Sequence, residues 1–429
     1  MQRRSGRGLT EETLFEHAPP PGGPLPPRLL TNRPFLWLVV STGVINLAFW
    51  AYFGALWADA AYRYHANPAQ MSILLASFSV PFVVLVPLQG ILVDRWSPKW
   101  LFLIGDAVSI AAVPVAWAAG SMGALYLSSF LVGAGVAAIM PARSALTGLL
   151  VPADRLVQAN GTIAGAIQIS LVLGPLLGGL TVRSVGTGPL YGAVLGIGAV
   201  AVTMALVVPD RRQGGERPEL RLRDLADGVA TVRRRPELRL LLWLQSAAWL
   251  VVNVYWILQP LFVRHELHLA EDAVQFLWSA QGAGALAGSI ALYRLRRGAG
   301  RELRLVGGGL VATGLGLLVF AGWSGYSTAI AGSVLFGCGF SFFFSSSLAL
   351  IQRVAGEEKR GRVTSVFATL QEGTAIAAAV VMVALGSLVD IRPGILATGG
   401  LLVVTALLGL RALRRRPSPV PAGAESADV

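Results

Sequence analysis

A carboxyl group inside an apolar stretch is costly and is therefore a candidate functional group, and two such residues in this sequence are candidates for chemistry. Glu372 lies midway along "TLQEGTAIAAAV", and Asp59 lies near the end of "AFWAYFGALWADAAY". A carboxyl in such a place can alternately bind and release a proton. Both residues are therefore candidate proton carriers. The alternative for Glu372 is a buried structural acid that hydrogen-bonds Gln371 or a neighbouring helix.

The remaining charges in the apolar stretches are interpreted as ion pairs. Asp106 and Arg143 lie at similar depths from the polar ends of their stretches, which predicts a structural pair rather than a transport role. Asp59 and Arg63 are one helical turn apart and are expected to pair at the membrane interface. Histidine, another common proton carrier, occurs only outside the apolar stretches.

Polar and aromatic side chains recur at helical spacing in several apolar stretches, which predicts a substrate cavity. The alternative is an aromatic belt at the membrane interface combined with core packing. An aromatic lining with few charges suits a hydrophobic or amphipathic solute better than a sugar or a phosphate. The candidates for the cavity are Asn46, Trp50, Gln168, Gln245, Trp249, Asn253, Trp256 and Gln281.

Composition indicates a membrane protein. Of 429 residues, 54% are hydrophobic and 14% are charged, against about 25% charged residues in a soluble protein. The mean hydropathy is +0.63. The single cysteine, Cys338, excludes an intramolecular disulfide. The polar segments contain no zinc-ligand spacing, Walker loop or nucleophile elbow, so neither an enzyme nor a metal or cofactor site is expected.

Twelve stretches of about 20 mostly apolar residues are each long enough to cross roughly 30 Å of hydrocarbon. They predict an all-α membrane protein with twelve transmembrane helices, at about 34–58, 70–93, 100–119, 123–147, 158–181, 188–208, 238–263, 272–294, 302–322, 327–351, 362–387 and 392–413.

The basic residues indicate how these helices are oriented. All Lys and Arg residues except Arg63, Arg183, Arg264 and Arg392 fall in alternate polar segments, which include both termini, or in the ends of the apolar stretches next to those segments. Because basic segments stay on the cytoplasmic side, both termini are predicted to be cytoplasmic. The net charge of +12 is then topogenic and faces anionic lipid, and a nucleic-acid partner is not expected.

The chain divides into five parts. Residues 1–33 are polar and Pro-rich without the apolar core of a signal peptide, which predicts a disordered cytoplasmic tail. Six-helix bundles are predicted at 34–208 and 238–413, and a short cytoplasmic tail at 414–429. The linker at 209–237 contains an amphipathic segment, interpreted as a helix lying on the membrane surface or as a solvated linker helix. Two such halves are typical of a transporter that rocks around a midplane site.

The segment between the second and third stretches, "GILVDRWSPKW", places an acid beside bases at the membrane boundary. Gly90 permits close helix approach, and Asp94 needs a basic group or a helix N-terminus as its partner. With Arg95 and Lys99, these residues resemble the signature loop of the major facilitator superfamily, although Ser-Pro stands where Gly-Arg is common. The resemblance implies that Asp94 is a latch that closes the cytoplasmic side. The alternative is a charge cluster that only orients the chain.

A second motif lies in the fifth stretch. Small residues there favour close helix packing, and a proline bends the helix. The spacing resembles the antiporter motif of the same superfamily, which is associated with export, with a serine in place of one glycine. The alternative is a generic packing face. The matching residues are Gly161, Ser170, Gly174, Pro175, Gly178 and Gly179.

Further segments, among them "TNRPFLWLVVSTG", "MPARSAL" and "LVPADRLVQANG", are similar to the drug-efflux branch that includes macrolide exporters and the enterobactin exporter. Many drug antiporters have an arginine early in the fourth helix that assists proton coupling. This chain has Ser128 and Ser129 in that region. The route of proton coupling therefore differs from that pattern.

These observations predict a monomeric secondary active exporter in the bacterial cytoplasmic membrane. It would exchange protons for a drug-like, macrolide-like or siderophore-like small molecule. The alternatives are a proton-coupled importer of a small nutrient and a membrane receptor or scaffold on the same fold.

Overall fold

The computed structural model describes residues 29–85, 96–210, 222–294, 301–356, 359–386, 388 and 390–414. Within these ranges the chain is helical, with short 3-10 turns at Leu29–Thr31 and Ala153–Arg155 and no strand. The α-helices are α1 Arg33–Tyr62, α2 Pro68–Leu85, α3 Pro98–Trp117, α4 Met122–Leu150, α5 Leu156–Val185, α6 Thr187–Leu206, α7 Leu222–Arg234, α8 Pro236–His265, α9 Asp272–Arg294, α10 Arg301–Gly322, α11 Tyr326–Ala355, α12 Arg360–Leu385 and α13 Ile391–Arg414.

Local sequence signals set several helix boundaries. Asn32 caps α1, because its side-chain oxygen accepts a hydrogen bond from the Phe35 N–H at 3.4 Å. Prolines at their first positions begin α3 and α8, where the missing N–H has no helical partner to lose. Gly186 joins α5 to α6 with a φ of 87°, a conformation that glycine adopts at no steric cost.

Eleven described helices are long and apolar enough to cross a membrane. The helix α9 is outside that group because it carries Asp272, Gln275, Gln281 and Arg294 among small residues, which lowers its mean hydropathy. For the residues that the structure describes, the prediction of an all-helical protein with long apolar helices is confirmed. The count of twelve spans and the location of the termini stay predictions.

Most helix contacts are made within two groups of helices that are consecutive in the chain. Within the first six long helices, α1 packs on α5 and α6, and α4 packs on α2 and α3. Within the last six, α11 packs on α9 and α10, and α8 packs on α12 and α13. The two groups, called here the first half (α1–α6) and the second half (α8–α13), meet mainly where α5 packs on α9 and α2 packs on α12.

The helix α7 lies in the linker between the halves and packs on α12. A Cβ atom at Gly228 would stand 2.7 Å from the Arg362 carbonyl oxygen, so the two backbones are in close contact there. Val232 is buried with Leu238 and Ile351 in a small apolar cluster. Part of the apolar side of this amphipathic helix is therefore covered by the second half itself.

The two ends of the bundle are named by their basic residues. The charge-poor end, so called because it has few Lys and Arg residues, contains the loops at 63–67 and 266–271, and the basic end is the opposite end of the described helices. The charge distribution predicts that the charge-poor end faces outward.

Candidate functional site

A central cavity of about 380 Å³ lies between the two halves. Residues from α1 to α6 form one side, and residues from α8 and α12 form the other. The lining is mostly apolar and aromatic, with two charged residues, Arg143 and Glu372. A site of this kind binds ligands mainly by burying apolar surface, while a few polar groups fix their orientation.

Aromatic rings make up much of the wall. On α1, Phe49 lies edge-on to Trp50 with ring centres 5.2 Å apart, and Phe53 contacts Phe78 of α2 at 5.1 Å. Across the cavity, Trp249 and Trp256 of α8 meet at 6.2 Å, nearly perpendicular to each other. These contacts fix the rings as rigid surfaces against which a flat or apolar molecule can pack.

Five of the eight residues predicted for the cavity line it, namely Asn46, Trp50, Trp249, Asn253 and Trp256. Gln168, Gln245 and Gln281 are not among the lining residues. Gln245 is buried inside the second half, where its side-chain oxygen accepts a hydrogen bond from Ser347 at 3.2 Å.

The sequence analysis did not select Phe49, Phe53, Phe78 and Ser109, which also line the cavity. A signal for the α1 rings was present, because Phe49 and Phe53 are one turn apart and adjacent to the selected Trp50. Phe78 and Ser109 carried no such signal.

Glu372 faces the cavity from α12. The side chain of the preceding Gln371 interacts with it, and no described basic group does. Asn253 lies nearby on α8, held by a 3.5 Å hydrogen bond to Thr374 of α12. Of the carboxyl groups that the structure describes, Glu372 is thus the one in the cavity lining.

Asp59 lies outside the cavity, toward the charge-poor end of α1. Its carboxylate accepts a 2.7 Å hydrogen bond from the Tyr191 hydroxyl of α6. Arg63, the expected partner, instead donates to the Ala119 carbonyl oxygen at 3.3 Å and stacks over Tyr64. The hydroxyl, rather than a salt bridge, therefore satisfies this buried acid.

Asp106 is fully buried on α3, and both of its carboxylate oxygens lack a hydrogen-bond partner among the described residues. Arg143 of α4 is the charged group that acts on it electrostatically. Asp106 and Arg143 are therefore close enough to interact electrostatically, but no hydrogen bond between them is described. Arg143 extends to the cavity wall, whereas Asp106 lies behind it.

The two halves close on each other at the charge-poor end. Gln275 of α9 is fully buried between two glycines of the first half. A Cβ atom at Gly54 would stand 3.0 Å from its side chain, and one at Gly178 would overlap its side-chain oxygen. Side chains larger than glycine at either position would displace Gln275.

Hydrogen bonds cross the same interface. The Tyr62 hydroxyl donates to the Leu269 carbonyl oxygen at 2.7 Å, and Thr187 donates to Glu271 at 2.7 Å. Arg264 of α8 donates to the Ala61 carbonyl oxygen. These hydrogen bonds, together with the packing of Gln275 against Gly54 and Gly178, close this end of the bundle. This set of contacts is called here the charge-poor gate.

The residues of the predicted antiporter motif have separate environments on α5. Gly174 packs against α1, where its Cβ atom would stand 2.8 Å from the Leu47 carbonyl oxygen. Ser170 donates to the Gly43 carbonyl oxygen of α1 at 2.8 Å. Gly178 and Gly179 face Gln275 and Phe276 of α9, Pro175 is buried inside the helix, and a Cβ atom at Gly161 would meet open space.

Of the predicted gating loop, Gly90, Asp94 and Arg95 lie outside the described residues. The Lys99 ammonium donates to the Leu206 carbonyl oxygen at 2.7 Å. A cation at a helix C-terminus is favoured by the helix dipole, so Lys99 stabilises the end of α6.

Comparison with protein families identifies the fold. A family model described as Major Facilitator Superfamily matches residues 38–379. The chain belongs to the major facilitator superfamily. Members of this superfamily are membrane transporters that bind small-molecule substrates, so the protein is a multi-span membrane protein of a transporter family.

Three curated relatives are named for different functions. An uncharacterized MFS-type transporter, YfiS of Bacillus subtilis, is 22% identical over 90% of this chain and 94% of its own. The lysophospholipid transporter LplT of Pectobacterium carotovorum is 26% identical over 52% of this chain and 57% of its own. The putative multidrug resistance protein MdtD of Yersinia pestis is 26% identical over 39% of this chain and 36% of its own.

Among solved structures, a point mutant of the nucleoside transporter NupG has a TM-score of 0.75 with 14% identity, covering 88% of this chain and 99% of its own. At this identity the likeness concerns the fold alone.

Proposed function

We propose that this protein is a secondary active exporter that exchanges protons for a hydrophobic or amphipathic small molecule across the bacterial cytoplasmic membrane. The two halves, 34–208 and 238–413, rock around the central cavity as a monomer. This arrangement exposes the cavity alternately to the two sides of the membrane.

The observation that carries the proposal is the placement of Glu372 in the wall of an aromatic cavity between the halves. A proton–substrate exchanger needs a titratable group in the substrate cavity, where binding of the substrate and binding of the proton can affect each other. Because no described basic residue pairs with Glu372, its charge can be neutralised by a proton. The apolar wall suits a solute that buries apolar surface.

The closed charge-poor end supports alternating access. With that end facing outward, the cavity extends from the gate toward the cytoplasm as far as Arg143. The closed gate at that end is the reason to infer an inward-facing state. The opposite, outward-facing state would require a closure at the basic end, for which Asp94 is the proposed latch.

Two observations favour export. The small residues of the antiporter motif seat the gate residues Gln275 and Phe276 from the other half, so they shape the outward closure. One relative is a putative multidrug resistance protein. The likeness to a lysophospholipid transporter favours an amphipathic solute over a small polar nutrient.

Everted membrane vesicles from a strain without its own efflux pumps test this function. Vesicles that contain the protein should accumulate dyes, macrolides or catecholate siderophores when a proton gradient is imposed, and a protonophore should abolish accumulation. Glu372→Gln should retain substrate binding and downhill exchange but lose uphill accumulation. The control Asp390→Asn removes an exposed acid of the same half and should behave as the wild type.

Accumulation in right-side-out vesicles alone would identify an importer instead. Binding without movement in either orientation would favour a receptor. Uphill transport retained by Glu372→Gln would place the proton path elsewhere, with Asp59 as the next candidate.

A further inference from the structure

The charged lining of the cavity has one member from each half. Arg143 belongs to α4 near the basic end, and Glu372 belongs to α12. A ligand that spans the cavity can therefore contact one fixed positive group and one group that takes up a proton. The sign of the ligand's own charge decides which of the two it pairs with.

The Arg143 guanidinium makes no hydrogen bond to any described residue, although the side chain is partly buried. A guanidinium presents five N–H donors in a planar fork that fits a carboxylate or another oxyanion through two parallel bonds. The Arg143 nitrogens are not among the fully buried unpartnered atoms, so they are open to the cavity that Arg143 lines. The geometry thus leaves a set of donors at the cavity wall that a bound anion can satisfy.

Asp106 does not occupy that fork. Its two oxygens accept no hydrogen bond from the described residues, and it lies behind the cavity wall. The guanidinium donors that a bidentate salt bridge to Asp106 would use therefore remain available to an oxyanion that arrives from the cavity.

The surroundings of Arg143 define the rest of the ligand. Ile139 and Met140 precede it on α4, Ile110 lies across on α3, and the aromatic wall with Phe49 and Trp50 follows. A volume of about 380 Å³ falls within the range of sites for small organic ligands. The ligand body must be apolar or aromatic, and its charge must be at one end.

We propose that the cavity binds a small amphipathic acid, with its oxyanion on Arg143 and its apolar body against the aromatic wall. This proposal rests on the exchange function proposed above. In that exchange Glu372 gains and loses a proton, whereas Arg143 keeps its charge throughout and is the basic residue among the described lining residues. Its positive charge attracts the head group of an anion and disfavours that of a cation.

Three probes with the same ring and different head groups test the proposal: 2-naphthylacetate, 2-naphthaleneethanol and 2-naphthylethylammonium. Binding of each radiolabelled probe is measured on the full-length protein in nanodiscs. The acid should bind at least about tenfold more tightly than the alcohol. A tenfold ratio of dissociation constants corresponds to about 1.4 kcal/mol of binding free energy. The ammonium probe should bind most weakly.

Variants locate the charge. Arg143→Gln should remove the preference for the acid while retaining alcohol binding, which shows that the cavity is still folded. Arg143→Lys keeps the charge without the fork and should retain part of the preference. Asp106→Asn should maintain or strengthen acid binding, because it removes a like charge. Arg183→Gln, at an exposed arginine of α5, is the matched control and should bind as the wild type.

Equal binding of acid and ammonium, stronger binding of the ammonium, or acid binding unaffected by Arg143→Gln would overturn the proposal. Loading of everted vesicles separates it from the exchange function. Proton-driven loading of the alcohol or ammonium without acid binding would overturn the acid site and support exchange. Arg143-dependent acid binding without driven loading of any probe would support the site and contradict exchange.

Discussion

Three acids within the long helices of this protein are stabilised in three different ways. Asp59 accepts a hydrogen bond from Tyr191, Asp106 has a nearby guanidinium but no described hydrogen bond, and Glu372 has Gln371 and the cavity. A carboxyl group that couples proton binding to substrate binding must be accessible from the substrate cavity. Access, rather than burial alone, therefore distinguishes Glu372 from the other two.

The role of Asp59 can be tested through its partner. Tyr191→Phe removes the hydroxyl but preserves the ring, so it should lower stability by about 1–3 kcal/mol, the cost of an unpaired buried group. Proton-driven export should be retained if Asp59 is structural. The melting temperature in detergent and vesicle loading are the measurements. Tyr126→Phe is the control, because Tyr126 of α4 is only partly buried and its hydroxyl can contact solvent or lipid head groups. Retained stability together with lost coupling would instead make Asp59 a proton carrier.

At the scale of helices, α5 uses one stripe of small residues for two neighbours. Ser170 and Gly174 face α1, while Gly178 and Gly179 face α9 of the other half. The first contact lies within a half and the second crosses the gate. Replacing glycines of the same motif should therefore have different effects that depend on position.

Gly178→Ala should weaken the charge-poor gate, since the added methyl group overlaps Gln275. Overpacking of this kind costs on the order of 1–3 kcal/mol, enough to shift the closed state about tenfold. In a Cys338→Ala background with Asn46→Cys in the cavity, an impermeant thiol reagent added to intact cells should react about tenfold faster. Gly161→Ala adds a methyl group to open space and should leave the rate unchanged. Equal rates in both variants would contradict this account of the gate.

At the scale of the molecule, the halves meet through two packed helix pairs, α5 with α9 and α2 with α12. In the proposed transport cycle, rocking about these pairs would open one end as the other closes. Contacts at the charge-poor end would stabilise the inward-facing state, and contacts at the basic end would stabilise the outward-facing state. A ligand or substitution shifts the equilibrium between these states only if it favours one of them.

Asp94→Asn should shift this equilibrium in the opposite direction from Gly178→Ala. Loss of a charge interaction at a helix end, about 1–2 kcal/mol, should favour the inward-facing state about tenfold. The same Asn46→Cys reporter should then react faster in everted vesicles, and export should fall strongly. The protein should still be inserted at normal levels. Unchanged labelling with normal transport would show that Asp94 only contributes to topology.

The orientation has a direct test. A fluorescent reporter fused after Arg416 should be active in the cytoplasm, and a phosphatase inserted near Ala270 should be active only outside. This orientation is expected because the basic residues lie in alternate segments of the chain, and basic segments are retained on the cytoplasmic side. A phosphatase active at the C-terminus would change the span count by one.

The positions of the helices could be predicted from the amino-acid sequence, because a bilayer requires every backbone group to be satisfied within the segment that crosses it. The apolar stretches therefore predicted the long helices closely. Helical spacing also selected Asn46, Trp50 and Trp249 for the cavity, where the structure places them.

The faces on which these helices meet could not be predicted from the sequence and are seen in the packed bundle. Asp59 bonds to Tyr191, 132 residues away, rather than to Arg63 one turn away. Gln275 fits against Gly178 of the other half, and Gln245 is directed away from the cavity to Ser347. Helices that are apolar on nearly every side carry little periodic signal. Their rotation about their own axes is set by close packing across the bundle.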